Sequence, residues 1–188
     1  DDAEPLSPAQ VRHLADRRGG VGGDGVLRAV RGAHVPEWEG DPDAWFMDYR
    51  NADGSLAEMC GNGVRVFARY LVEQGLVAPD AQEIAIGTRA GLRTARLLPD
   101  GRVRVWMGRT DTSGPAVEIR VGTRVWPAAP VNVGNPHAVV VVPDPEQVAG
   151  LDLTQQPAWE PRDAFPCGVN VEFVAPVGER HLRMRVYE

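Results

Sequence analysis

The chain has 188 residues, with 26 acidic and 20 basic side chains and a net charge of −6. That balance argues against a nucleic-acid partner, and no apolar run approaches the ~18 residues of a membrane span. Apart from four histidines, every basic residue is arginine, so neither the Schiff-base lysine of pyridoxal-phosphate enzymes nor the lysine of a P-loop is present.

At 43% apolar composition, a chain of this length can bury about 70% of its unfolded surface without disulfide help. Cys60 and Cys167 are too few for a disulfide scaffold. His13, His34, His137 and His181 are dispersed and mark no metal site. The start, Asp1-Asp2-Ala3-Glu4, has no basic or apolar region of a secretion signal. Twenty-one glycines and 16 prolines predict many turns and short strands.

In chain order, Ser7-Pro8 predicts a helix start, with Val11, Leu14 and Ala15 on one face and an end at Arg17-Arg18-Gly19. Gly20-Val21-Gly22-Gly23-Asp24-Gly25 matches GxGxxG literally. The dinucleotide fingerprint, however, follows a strand and opens a helix. Here a helix precedes and the strand-like Val26–Val30 follows, so the run reads as a glycine turn. Residues 45–50 read as a strand, and Asn51-Ala52-Asp53-Gly54-Ser55 as a turn.

Cys60-Gly61-Asn62-Gly63 then opens a helix in which Val64, Phe67, Ala68, Leu71 and Val72 share one face, with Gly75 at its end. Strands are expected over 83–87, 91–98, 102–107, 125–133, 137–142, 169–175 and 181–187. The polar Thr110–Pro115 is the candidate domain boundary. The pattern is α+β rather than regular βαβ units. There is a weak internal echo: Asp48-Tyr49-Arg50 leads to Cys60, and Val186-Tyr187-Glu188 closes the sequence. If the halves are related, a second cysteine loop is expected just past Glu188.

Cys60 is the sharpest chemical feature. A thiol at a helix N-terminus feels the dipole and the free N–H groups, which favour thiolate. Gly61 and Gly63 leave those amides open to an anion. A carboxylate bound there would place its α-carbon beside the sulfur. That suits proton abstraction, with the amides stabilising the enolate-like charge. The plain alternative is an inert buried cysteine. The five asparagines (Asn51, Asn62, Asn132, Asn135 and Asn170) lie in turns or glycine-containing segments. Asparagine is a common turn residue, and it also offers donors and acceptors to a polar ligand. Asn135-Pro136-His137, at a strand entry, could aim two side chains into one cleft.

Arg50-Asn51-Ala52-Asp53-Gly54-Ser55 and Ala57-Glu58-Met59-Cys60-Gly61-Asn62-Gly63-Val64-Arg65 together resemble the first catalytic segment of the diaminopimelate epimerase family. Val133-Gly134-Asn135-Pro136-His137 resembles its second signature, and Gly168-Val169-Asn170-Val171-Glu172-Phe173 its third. Arg185-Val186-Tyr187-Glu188 resembles the opening of its fourth, and the turn Arg18–Gly25 also has a counterpart.

The resemblance implies two pseudo-symmetric halves, 1–114 and 115–188, each a curled, mostly antiparallel sheet around a central helix. It implies interconversion of LL- and meso-2,6-diaminopimelate, in lysine and peptidoglycan precursor biosynthesis, by a cytoplasmic enzyme without cofactor or metal. Two cysteines would face opposite sides of the reacting α-carbon, and Cys60 matches the first. Gly61 and Asn62 match amides that hold the reacting carboxylate. Asn51, Asn135 and Asn170 match residues that bind the substrate's polar ends. His137 and Glu188 match positions beside the reacting centre, with Glu188 also touching substrate. The partner implied is the small-molecule substrate, not nucleic acid or membrane, and a homodimer is compatible.

The departures also set expectations. The family's opening Asn-Asp-Phe segment and its second motif, Cys-Gly-Thr-Gly, have no match here. The chain therefore reads as truncated at both ends and inactive alone. Cys167 is followed by Gly168, but it comes after Pro166 with no helix following and is not expected to replace the second cysteine. Gly25 stands where relatives often carry Gln. The competing readings are another racemase of the same fold, such as a proline racemase, which carries His where this chain has Asn62, and a non-catalytic fragment.

Overall fold

In a computed structural model, which describes residues 4–188, the chain divides between Gly108 and Arg109, ahead of Thr110–Pro115. The first unit opens with α1 (Pro8–Ala15), started by a capping box. The Ser7 hydroxyl accepts from the Gln10 N–H, and the Gln10 side chain accepts from the Ser7 N–H at 2.8 Å. α1 stops short of Arg17 because the glycine run caps it. The N–H groups of Val21 and Gly22 donate to the Leu14 carbonyl, and that of Gly23 to Ala15. These amides satisfy carbonyls left over at the helix end and do not cradle a phosphate.

Strands β1 (Gly25–Arg31), β2 (Trp45–Asn51), β3 (Ile84–Thr88), β4 (Gly91–Leu97) and β5 (Val103–Trp106) form one sheet in that order. It is antiparallel except at β2/β3. Helix α2 (Gly61–Glu73) packs on one face. Val64, Phe67, Ala68 and Leu71 are buried there against Met47, Ile84, Ile86 and Ala95. Each large apolar side chain so buried contributes about 1.5–3 kcal/mol. Gly75, at φ +66°, ends α2: its N–H donates to Val72 and that of Leu76 to Leu71, a Schellman arrangement. The other sheet face buries Val30, Val35 and Phe46, with Trp38 edge-on to Phe46.

The second unit contains β6 (Val117–Val121), β7 (Arg124–Asn132), β8 (Pro136–Val141), α3 (Pro145–Ala149), β9 (Ala158–Glu160), β10 (Asn170–Gly178) and β11 (His181–Tyr187). Its sheet runs β11-β10-β8-β7-β6-β9, parallel only at β8/β10. Ile119, Val140, Val142, Val148, Val171 and Phe173 form its core. The architecture is α+β with two mixed, mostly antiparallel sheets. The expected central helix is present in the first unit as α2. Among the described residues of the second, the only α-helix is the five-residue α3.

Candidate active site

The sequence-expected residues fall into two groups, one in each unit. In the first, Cys60 is the N-cap of α2, with extended backbone (φ −142°, ψ 114°). Its Sγ accepts the Gly63 N–H at 3.3 Å, and the thiol is half-buried. The Gly61 and Asn62 N–H groups have no acceptor among the described residues, so the first turn presents two free donors beside the sulfur. The exposed Asn62 side-chain oxygen accepts from Arg65. Asn51 ends β2, and its side-chain N–H₂ donates to the Ser55 hydroxyl at 3.0 Å. Asp53 closes the same turn by accepting the Ser55 N–H at 2.8 Å. The chain then runs back along β2, where the Ala57 N–H donates to the Tyr49 carbonyl. A rigid turn therefore carries the chain from Asn51 to Cys60.

In the second unit, His137 on β8 lies directly beside Asn170 on β10 in parallel register. Asn135 immediately precedes β8, and its Oδ1 is 3.0 Å from His137 Nε2. Glu188 follows β11 and is exposed. Its neighbour Tyr187 pairs with Val171, which puts Glu188 at the same strand end as Asn170. Cys167 is exposed, in the loop before β10. No helix follows it, as expected. Among the described residues no group of three or more His, Cys, Asp or Glu side chains could hold a metal ion, and no helix is long and apolar enough to cross a membrane.

The family model for diaminopimelate epimerase matches residues 1–112 and 130–188. The chain belongs to this family. It is 51% identical to a diaminopimelate epimerase of Streptomyces coelicolor over 190 residues, which cover all of this chain and 64% of that protein. To a diaminopimelate epimerase of Corynebacterium glutamicum it is 45% identical, covering 97% of this chain and 66% of the relative. The chain thus spans just under two thirds of these relatives.

Among solved structures, it resembles a hydroxyproline epimerase from Agrobacterium vitis (TM-score 0.61, 17% identity, 93% of this chain and 56% of that one). It also resembles a phenazine biosynthesis protein of the PhzF family from Bacillus anthracis (TM-score 0.53, 16% identity, 99% and 64%). At these identities the likeness shows the fold, which these epimerase and PhzF structures share.

One polar residue of the second group was not singled out in the sequence. Glu172, on β10, brings its Oε1 to 2.6 Å from His137 Nδ1. A lone acidic residue in a strand reads as a solvated face. Its partner is 35 residues away, and only the parallel β8/β10 pairing brings the two together.

Proposed function

We propose that this chain carries one catalytic base and part of the substrate-recognition surface of a cytoplasmic enzyme that epimerises LL-2,6-diaminopimelate to the meso isomer without a cofactor. The observation that supports this most directly is Cys60 at the N-cap of α2, with the Gly63 N–H on its sulfur and two free amides beside it. In the reaction, the Cys60 thiolate takes the α-proton and becomes a thiol. The C–H electron pair moves toward the carboxylate, giving an enediolate-like anion. The Gly61 and Asn62 amides donate to its oxygens at the positive end of α2, where such charge is stabilised. Protonation from the opposite face inverts the centre. That step needs a second acid, and we do not assign Cys167 to it, because it is exposed and caps no helix. Asn51, Asn135 and Asn170 are assigned to the substrate's polar ends, and His137 and Glu188 to the surroundings of the reacting carbon.

The test is exchange of solvent deuterium into the α-position of diaminopimelate, with proline as control substrate, in a chain spanning the family's full length. Cys60→Ala is expected to lower turnover by at least 10²–10⁴-fold, the usual contribution of general acid–base catalysis. Cys167→Ala should leave kcat within about threefold. Equal losses in the two variants would overturn the assignment of the two cysteines, and turnover of proline alone would overturn the substrate.

A further inference from the structure

We propose that Glu172 is a positioning residue that holds His137 as its Nδ1–H tautomer, so that Nε2 is the ring atom offered for proton exchange. The role in catalysis rests on the epimerase reading; the tautomer does not.

His137 and Asn170 are neighbours in the β8/β10 register, and Glu172 follows two residues later on the same sheet face. Its Oε1 lies 2.6 Å from Nδ1, with 13% of the Glu172 side chain and 21% of the His137 side chain exposed. An ionised carboxylate only accepts hydrogen bonds, so Nδ1 is the donor. Largely withdrawn from water, this charge-assisted bond is strong for its kind.

The second nitrogen, Nε2, faces Asn135 Oδ1 at 3.0 Å. An oxygen at both ends suits a ring that donates from both nitrogens. Turning the Asn135 amide end for end brings its N–H₂ to a bare Nε2 and suits the neutral ring. The Asn135 amide can therefore serve either state of Nε2, while Glu172 keeps Nδ1–H fixed in both. The second nitrogen of a histidine is set by what the first one bonds.

A merely structural role does not account for the carboxylate. Its Oε2 is buried with no hydrogen-bond partner among the described residues. Besides Asn170 and His137, its neighbours on this face are Val139, Val174 and Val186, so an apolar side chain would fit against those three without the cost of a half-satisfied buried charge.

The experiment is long-range proton–nitrogen correlation NMR on the histidine-labelled 188-residue chain at about pH 8.5, well above the ordinary histidine value. The unvaried chain should show His137 protonated at Nδ1 and bare at Nε2. Glu172→Ala should move it to the Nε2–H form or to a mixture, leaving His13, His34 and His181 unchanged. If the alanine variant loses the β8/β10 amide pattern, Glu172→Val decides, since a β-branched side chain suits the strand and offers Nδ1 no acceptor. Nε2–H in the unvaried chain, or an unchanged tautomer in the folded variants, would overturn the proposal.

In the chain of full family length, Glu172→Ala should lower kcat about tenfold or more with KM little changed, the signature of a lost transition-state interaction. A shifted tautomer with unchanged kcat would overturn the positioning role. Absence of diaminopimelate turnover even in the unvaried full-length chain would sink the epimerase reading while leaving the tautomer result standing.

Discussion

Two glycines flank the sulfur of Cys60 in sequence, but their surroundings differ. A Cβ built on Gly63 would lie 3.3 Å from both the Cys60 Cβ and Leu27 Cδ2, and 3.5 Å from Cys60 Sγ. At 3.3 Å a neighbour must give by a few tenths of an ångström, and Leu27 packs against the core under α2, so the added carbon presses on the seat of the thiol. A Cβ on Gly61 meets only Met107, with Cε at 3.4 Å, and methionine repacks readily. Gly63→Ala is therefore expected to cost roughly tenfold or more in kcat, since small misplacements of a reacting group can reach 10²-fold. Gly61→Ala should cost clearly less. The measurement is α-deuterium exchange by both variants in the chain of full family length, and the reverse order would mean that free space at Gly61 matters more than the seat of the sulfur. That Cys60 mattered was legible in the sequence, because its glycine flanks and the helical period after it are local signals. That Gly63 donates to the sulfur, and that a Cβ there would crowd Cys60, needed coordinates.

At the scale of elements, one buried carboxylate ties three pieces of the first sheet together. Asp48 on β2 is 2% exposed. It meets Arg28 from β1 at 3.0 Å, Arg89 from the β3–β4 turn at 2.7 Å, and Arg50 of its own strand at 3.5 Å. Burial pushes its carboxyl up, but the hydrogen bonds from Arg89 and Arg28 and the charges of Arg89 and Arg50 outweigh that and hold it below the ordinary 3.8. A lowered folded value means stability that is present above 3.8 and is lost as pH falls through the folded value. Asp48→Asn should therefore cost about 3–5 kcal/mol at neutral pH, because it removes the counter-charge shared by three largely buried guanidinium groups. Its deficit against the unvaried chain should shrink in strong acid. Urea titrations at pH 7 and at about pH 2–3 would check this, and a deficit independent of pH would show that the charge is irrelevant.

None of this cluster was read from the sequence, since its members are 20 and 41 residues apart and meet only through strand pairing. α2 was legible from its 3.6-residue period. β9 and α3 were not, because three and five residues are too few to show a period. β6 does alternate, with Val117 and Ile119 buried and Glu118 and Arg120 exposed. At five residues, close behind the polar Thr110–Pro115, it is too short a signal to stand out.

The described residues form two sheets that share no strand. Among the described residues, each buried cluster draws its members from one side of Gly108. Cooperativity in folding comes from shared cores and shared hydrogen-bonded ladders, and where neither is shared, unfolding breaks into separate units. In the sequence, the polarity of Thr110–Pro115, a weak internal echo and the family resemblance suggest two parts. Their separate cores follow from which strands pair, and that is set by long-range contacts no local pattern reveals. A cavity made in one core should therefore be felt mainly in that unit. Leu71 on α2 and Phe173 on β10 are both completely buried. Leu71→Ala should lose about 2–5 kcal/mol and Phe173→Ala about 3–5 kcal/mol. Native-state hydrogen exchange would resolve where the loss falls. In Leu71→Ala the amides of α2 and of β1 to β5 should exchange faster, while those of β7, β8 and β10 keep their protection, and Phe173→Ala should give the reverse. If either variant loosened both sheets by the same free energy, the 188 residues would unfold as one cooperative body, and the division at Gly108 would describe geometry without thermodynamic independence.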